Sequence, residues 1–157
     1  METSKYYSLT EIQQKLLQAA KVVMETAYNP YSHFYVGAAL LSQDGQIITG
    51  SNVENAAYGS TICAERSALV RANALGLRVF EKVAVIGRGD RFDTTEVTGP
   101  CGSCRQMLYE AAQISELNLE VIMSTTKMDK IVVATIEELL PLAFGPKDLG
   151  IDVKKYQ

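Results

Sequence analysis

The sequence is poor in several residue patterns on which whole classes of protein depend. Its 157 residues include three cysteines, an odd number that is too small for the disulfide framework of a secreted domain. Lysine and arginine number 15 against 18 aspartates and glutamates, and no basic run is longer than Lys154–Lys155. A polynucleotide held through its phosphates needs a basic face, so no nucleic-acid partner is expected. The longest aliphatic stretch, from Val36 to Leu41, is far shorter than the ~20 residues that span a bilayer, so no membrane partner is expected either.

The composition that remains is typical of one soluble globular domain. Apolar residues make up 47% of the chain and charged residues 21%, close to the average for such domains. A chain of this length buries roughly 68–70% of its unfolded surface, so its core needs no disulfides. We therefore predict a single domain over residues 1–157. The segment from Met1 to Tyr7 lacks the apolar stretch of a signal peptide, which favours a cytoplasmic protein.

Helical periodicity and turn signals alternate along the chain. The capping box Ser8-x-x-Glu11 is expected to open a first helix, which Asn29-Pro30 ends. The dipeptide Asp44-Gly45 between two apolar runs predicts a β-hairpin of Val36–Leu41 and Gln46–Thr49. The remaining predicted elements, in chain order, are a helix Cys63–Leu75 closed by Gly76, a strand Val83–Ile86, a loop over residues 87–99, a helix Gly102–Ile114, strands Leu119–Met123 and Ile131–Ala134, a short helix opened by the capping box Thr135–Glu138, and a polar tail from Gly145 that is poorly ordered unless a partner holds it.

The order of these elements, α-β-β-α-β-α-β-β-α, predicts the fold class. Strands that alternate with helices require crossover connections, which place helices on both faces of a sheet. The opening hairpin adds an antiparallel pair. We therefore predict an α/β fold, a three-layer α/β/α sandwich with a mixed five-stranded sheet.

All three cysteines lie at predicted helix starts, Cys63 at one and Cys101 with Cys104 at the other. A helix N-terminus favours thiolate over thiol, and the spacing C-x₂-C lets two sulfurs share one metal ion. The only histidine is His33, which excludes a catalytic site built on two or three histidines. Three protein ligands leave the fourth tetrahedral position of Zn²⁺ open, as catalytic zinc requires.

Charged residues next to the cysteines complete the expected site. Three thiolates leave bound Zn²⁺ with a net negative charge. Arg66 lies three residues after Cys63 and Arg105 directly follows Cys104, so both could donate to sulfur and offset that charge. Glu65 lies two residues beyond Cys63. A carboxylate there could act first as a general base toward water and then as a general acid toward a substrate.

Less specific interpretations of the same residues exist. Cys63 taken alone is more often a small core residue, and Cys-x-x-Cys taken alone is also typical of a thioredoxin-like redox pair. A structural zinc site would need a fourth ligand, for which His33 is the only soft donor. Catalytic zinc is favoured because it accounts for all three cysteines and for Glu65 together.

The motifs Cys63-Ala-Glu65 and Pro100-Cys-x-x-Cys104 resemble the signature of the zinc-dependent nucleobase deaminases, with cysteine in place of the usual histidine. More specifically, the sequence is similar to the cytidine deaminase family, in its small homotetrameric three-cysteine branch. It departs from that family at Tyr35, where proline is common, and in the loop from Arg88 to Gly99. The similar segments are Tyr31–Leu40, Gly50–Gly59, Thr61–Arg66, Pro100–Gln106 and Leu139–Leu149.

The resemblance implies a full set of site residues. Zinc would bind to Cys63, Cys101 and Cys104, and Glu65 would move protons. The implied substrate contacts are the Ala64 backbone N–H on the base, Phe34 stacked on the pyrimidine, Asn52 and Glu54 on the ribose 3′-hydroxyl, and Tyr58 and Phe144 from neighbouring subunits of a homotetramer. Without the resemblance, the two phenylalanines would be read as core residues, and Asn52 with Glu54 as a solvated strand face.

The activity implied is zinc-dependent hydrolytic deamination of cytidine and deoxycytidine to uridine and deoxyuridine plus ammonia, in pyrimidine salvage. The substrate would be a free nucleoside, because a pocket that grips the 3′-hydroxyl leaves little room for a longer chain. Two alternatives stay open. One is deamination of another aminocytosine compound such as blasticidin S, or of a base in RNA. The other is a non-catalytic, zinc-stabilised interaction domain.

Overall fold

A computed structural model describes residues 1 to 157 and is built on one six-stranded sheet. The strands lie in the order β1-β6-β5-β4-β2-β3, and only β4 and β5 run parallel. The strands are β1 Glu2–Ser4, β2 Phe34–Ser42, β3 Ile47–Ser51, β4 Phe80–Gly89, β5 Glu120–Ser124 and β6 Ile131–Thr135. The helices are α1 Glu11–Met24, α2 Ala64–Ala74, α3 Gly102–Ser115 and α4 Ile136–Leu139.

Helices cover both faces of the sheet, as predicted. The face under α1 has a core of 12 buried residues, and the face under α2 and α3 has one of 17. Strand β4 shows why its apolar run is continuous: Val83 and Val85 enter the larger core while Ala84 and Ile86 enter the smaller. Successive strand side chains point to opposite faces, and here both faces are buried. The three-layer α/β/α class is therefore confirmed.

The sheet has one strand more than predicted, and the first helix begins differently. Strand β1 pairs with β6 at the sheet edge, but its short polar sequence carries no strand signal. The Ser8–Glu11 capping box is wrong, because Thr10 is the residue that caps α1. Its hydroxyl accepts from the Gln13 N–H at 3.4 Å, and the Gln13 side chain accepts from the Thr10 N–H at 2.9 Å. The two candidate boxes overlap in the sequence, so spacing alone does not distinguish them.

The tail from Gly145, predicted to be poorly ordered unless a partner holds it, docks against α3 of its own chain. It contains two 3-10 turns, Pro146–Leu149 and Lys154–Tyr156. The side-chain amide of Gln157 donates to the Ile114 carbonyl at 2.7 Å, and Lys154 pairs with Glu116 at the end of α3. The polar residues that suggested disorder therefore make docking contacts with the chain itself.

Helix α2, which begins next to Cys63, lies directly on the backbone of β3. A Cβ added at Gly50 would come within 2.3 Å of the Ala68 nitrogen and 2.6 Å of the Ala64 carbonyl oxygen. These are backbone atoms of α2, which cannot move aside without moving the whole helix. Glycine at position 50 thus sets the distance between this helix and the sheet.

We expect Gly50→Ala to lower the free energy of unfolding by about 1–3 kcal/mol, the usual cost of overpacking a core. Chemical denaturation measures the change. Gly59→Ala is the matched control, because a Cβ there meets no atom within 4 Å. Equal stability of the two variants would contradict the close packing of α2 on β3.

Candidate metal centre and active site

The three cysteine sulfurs converge at the starts of α2 and α3. Cys63 is the N-cap of α2, Cys101 is the N-cap of α3, and Cys104 lies in the first turn of α3. The extended backbone at each N-cap turns the chain into the helix, so that both helix starts face one point. The three sulfurs lie within 4.8 Å of one another, as the sequence predicts.

The spacing of the sulfurs fits a shared metal ion. Cys63 Sγ and Cys101 Sγ are 3.8 Å apart, and two thiolates bonded to one tetrahedral zinc at about 2.3 Å lie about 3.8 Å apart. A disulfide would need about 2.05 Å, and all three cysteines are free. His33 lies in a different cavity, with Ser32 and Phe92. The cluster therefore has three protein ligands and no fourth, as an open metal site requires.

Hydrogen bonding and charge shift the acidity of two of these thiols in opposite directions. A hydrogen bond from Cys104 lowers the pKa of Cys63 to about 5, and the Arg66 guanidinium adds to the effect. The same hydrogen bond, together with burial, raises the pKa of Cys104. Two thiolates this close repel each other, so both lose their protons only when a cation takes up their charge. The donor set suits Zn²⁺, which favours thiolate sulfur.

The two arginines predicted to offset thiolate charge have different partners. The Arg66 guanidinium donates to the Thr61 carbonyl at 2.9 Å and to Cys63 Sγ at 3.8 Å. Arg105 instead donates to the carbonyls of Pro100 and Leu139, each at 2.9 Å. The prediction that Arg105 donates to a sulfur is therefore wrong. Its planar guanidinium links the segment before α3 to the end of α4. Arg105 therefore affects the position of Cys101 only through the backbone of Pro100.

Glu65 and two of the cysteines share one cavity of about 250 Å³. The Glu65 side chain is almost wholly buried, and this burial raises its pKa to about 7 because the charged form loses hydration. A carboxyl group in that range can both accept and release a proton near neutral pH. The cavity is lined by Phe34, Val36, Asn52, Thr61, Cys63, Ala64, Glu65, Thr98, Gly99 and Cys101.

The cavity presents a further donor from the backbone of α2. Ala64 is the first residue of the helix, so its N–H has no partner within the helix. Other cavities in the chain are larger. The two largest of these cavities, of about 510 and 610 Å³, lie against α3 and the tail. Neither contains a thiol or a buried carboxylate, so their size does not make them the reactive site.

Asn52 and Glu54 are buried, but they lie just beyond β3 and not on it. The Asn52 amide donates to the Phe34 carbonyl and accepts from the Val36 N–H, each at 2.9 Å. One Glu54 oxygen accepts from the N–H groups of Tyr31 and Ser32, at 2.9 and 3.1 Å. The interpretation of Asn52 and Glu54 as a solvated strand face is therefore wrong, because both are buried and neither lies on a strand. Asn52 lines the cavity, whereas Glu54 fixes the segment before β2.

Tyr58 and Phe144 lie outside the cavity of their own chain. Tyr58 is exposed and meets the Tyr31 ring edge-on at 5.6 Å. Phe144 is also exposed, so it is not a core residue, and its carbonyl accepts from the Gln106 side chain. Within one chain, neither residue lines the cavity that contains Glu65.

Sequence reasoning missed four lining residues that only the fold brings to the cavity, namely Val36, Thr61, Thr98 and Gly99. Thr61 and Val36 carry no functional signature, and Thr98 lies in the loop that matched no pattern. Its position follows from tertiary pairing, since the Thr98 N–H donates to the Ser124 carbonyl at 3.1 Å. Nothing within the loop itself signals that pairing.

Comparison with known proteins identifies this arrangement of residues. Residues 10–120 match the family model described as the cytidine and deoxycytidylate deaminase zinc-binding region. The chain belongs to this deaminase family. It is 43% identical to the cytidine deaminase of Sporosarcina psychrophila over 137 residues, which are 87% of this chain and 94% of that protein. The predicted family, its enzymatic class and its zinc cofactor are thereby confirmed.

Solved structures of family members share the fold. The cytidine deaminase of Burkholderia pseudomallei matches with a TM-score of 0.75 and 43% identity, covering 87% of this chain and all of that one. The Mycobacterium tuberculosis cytidine deaminase matches with a TM-score of 0.69 and 33% identity, covering 87% of this chain and 99% of that one.

None of the helices has the length and apolar character needed to cross a membrane.

We expect Cys104→Ser to bind far less zinc than the roughly one ion per chain of the wild type, because a three-ligand site cannot lose a thiolate and keep its affinity. Metal analysis after gel filtration measures the stoichiometry. Ser103→Ala is the control, since this exposed residue lies in the same helical turn. Full zinc content in Cys104→Ser would contradict the proposed ligand set.

Proposed function

We propose that this chain catalyses the zinc-dependent hydrolytic deamination of cytidine and deoxycytidine, forming uridine or deoxyuridine and ammonia. One observation carries the proposal: the buried Glu65 carboxyl lines the same cavity as Cys63 and Cys101, two of three convergent thiols. The family membership and the relatives named cytidine deaminase support the choice of substrate.

Cys63, Cys101 and Cys104 would hold the zinc ion, with Arg66 donating to Cys63. When bound, zinc supplies Lewis-acid activation of water next to the substrate. The hydrogen bond from Arg66 withdraws negative charge from Cys63, which would otherwise weaken the ion as a Lewis acid.

Glu65 would carry the protons of the reaction. Its carboxylate accepts one proton from the water that attacks C4 of the pyrimidine ring and gives a proton to ring N3. It then takes the second proton of that water, from the hydroxyl now on C4, and gives it to the amino group, so that the C4–N bond breaks, ammonia leaves and the C4 carbonyl forms. Burial keeps bulk water away from this carboxyl and raises its pKa to about 7, so that the group can both accept and release a proton near neutral pH.

Other residues would bind the nucleoside. Phe34 would stack on the pyrimidine, and the free Ala64 N–H would donate to the base. The Asn52 amide still has one N–H and one lone pair after its bonds to β2, and Glu54 still has a second carboxylate oxygen. These groups are suited to the ribose 3′-hydroxyl, which favours a free nucleoside over a polynucleotide.

Tyr58 and Phe144 would complete the cavities of neighbouring subunits in a homotetramer. Both rings are exposed, and neither lines the cavity of its own chain, as expected of residues that act across an interface. We place the enzyme in the cytoplasm, in pyrimidine salvage. Three free thiols suit a reducing compartment.

We expect Glu65→Gln to lower kcat by at least about 10²–10⁴-fold, the usual contribution of general acid–base catalysis, with no loss of bound zinc. The measurement is the absorbance change from cytidine to uridine, with metal analysis of the same sample. Glu110→Gln, on the exposed side of α3, serves as the matched control.

The same assay separates the alternatives when cytidine, deoxycytidine and blasticidin S are compared. Inertness toward both nucleosides would contradict the substrate proposal. Unchanged activity in Glu65→Gln would contradict its catalytic role, and absence of any activity in a folded, zinc-loaded wild type would favour the interaction domain.

We expect light scattering to give a molar mass of about four times the chain mass of 17.2 kDa. A monomer with full activity would contradict the shared cavities.

We also expect Phe144→Ala to raise the KM for cytidine several-fold, because aromatic contacts with bases contribute about 1–3 kcal/mol each. Leu142→Ala, an exposed residue of the same segment, tests whether the effect belongs to the aromatic ring.

A further inference from the structure

The loop after β4 places a second aromatic ring next to the predicted base-stacking residue. The Phe92 and Phe34 ring centroids are 6.4 Å apart, with their planes tilted by 41°. Phe34 lines the cavity that contains Glu65, whereas Phe92 is outside that lining. Phe92 therefore lies behind or beside the ring that would face the pyrimidine.

Two glycines of β4 make room for this pair of rings. A Cβ at Gly87 would lie 2.9 Å from Phe34 Cε1, and a Cβ at Gly89 would lie 2.1–2.5 Å from three ring carbons of Phe92. Alternate strand residues share one face of a sheet, so the rings lie side by side on bare backbone. Any side chain at either position would displace its ring.

The backbone around Phe92 is anchored on both sides. The Gly89 N–H donates to the Phe92 carbonyl at 2.9 Å, which closes the turn that reverses the chain. Beyond the turn, the Thr94 N–H donates to the Thr126 hydroxyl at 2.9 Å, and that hydroxyl donates to the Gly87 carbonyl at 2.7 Å. The loop therefore presents the ring from a fixed position.

The ring itself contributes little to the core. Phe92 is 63% exposed, so its truncation removes only a small buried apolar area. Its one aromatic neighbour is Phe34, and aromatic pairs with centroids 4.5–7 Å apart attract each other. Loss of the Phe92 ring should therefore affect the orientation of Phe34 more than the stability of the fold.

We propose that Phe92 is a positioning residue for the substrate base, because its contact holds the Phe34 ring in the orientation that stacks on the pyrimidine. This inference rests on the proposed function. Phe92 acts on the base only through Phe34, so it should influence binding of the nucleoside and leave proton transfer at Glu65 unaltered.

The test compares Phe92→Ala with Phe92→Tyr in the zinc-loaded, full-length protein. We expect Phe92→Ala to raise the KM for cytidine about 2- to 10-fold, the fold-change that corresponds to one aromatic pair, with kcat within about twofold of the wild type. The dissociation constant for uridine, measured by calorimetry, should rise by a similar factor. Phe92→Tyr should restore both values. Tyr7→Ala, which removes an exposed ring far along the chain, is the control.

A second variant removes the contact without removing the ring. The Cβ of Gly89→Ala would push the exposed Phe92 ring off the strand, so this variant should raise KM as Phe92→Ala does. The double variant should show no further increase, because both changes break one interaction.

The outcomes separate this inference from the function on which it rests. If the wild type is active and Phe92→Ala leaves its KM for cytidine unchanged, the role of Phe92 is contradicted and the proposed function is not. The same conclusion follows if Phe92→Ala lowers kcat by as large a factor as it raises KM, or if the double variant raises KM by the product of the two single effects. A wild type that does not deaminate cytidine contradicts the proposed function, and this inference with it.

Discussion

Mutual repulsion among ionisable groups is the constraint on which the site depends. Cys63, Cys101 and Cys104 lie within 4.8 Å of one another, and the buried Glu65 lines the same cavity. Four acidic groups gathered at one partly buried site cannot all ionise without a compensating positive charge. Two helix N-termini and Arg66 offset part of the charge, and a bound divalent cation offsets the rest. The arrangement is thus a site that fits a cation and leaves a carboxyl at its edge able to exchange protons.

The fold holds these groups in place through close backbone contacts. Gly50 lets α2 lie on β3, which sets the position of Cys63 and Glu65 relative to the sheet. Asn52 links β2 to the segment after β3 and thereby fixes the backbone from Phe34 to Val36. Gly87 and Gly89 leave β4 bare for the rings of Phe34 and Phe92. Small residues at these positions allow the large and reactive ones to come together.

Much of this could be predicted from the sequence, because the strongest signals are local. Apolar periodicity and Asp44-Gly45 predict the helices and the hairpin, and the spacing of the cysteines and Glu65 predicts the metal site. Strand β1 was not predicted, because its residues are polar and it pairs with β6 through backbone atoms. The partners of Arg105 and the position of Phe92 depend on contacts between distant segments, for which the neighbouring sequence carries no signal. Family resemblance supplied the roles of Asn52 and Glu54, yet their burial beyond the end of β3 became visible only in the fold.

The most direct test of the account is X-ray absorption at the zinc edge of the purified protein. Three thiolate ligands and an open position predict about three sulfur scatterers at about 2.3 Å and one nitrogen or oxygen scatterer near 2.0 Å. A shell of four sulfurs, a shell with no sulfur, or the absence of zinc from an active protein would contradict the central claim that these three cysteines form an open metal site beside Glu65.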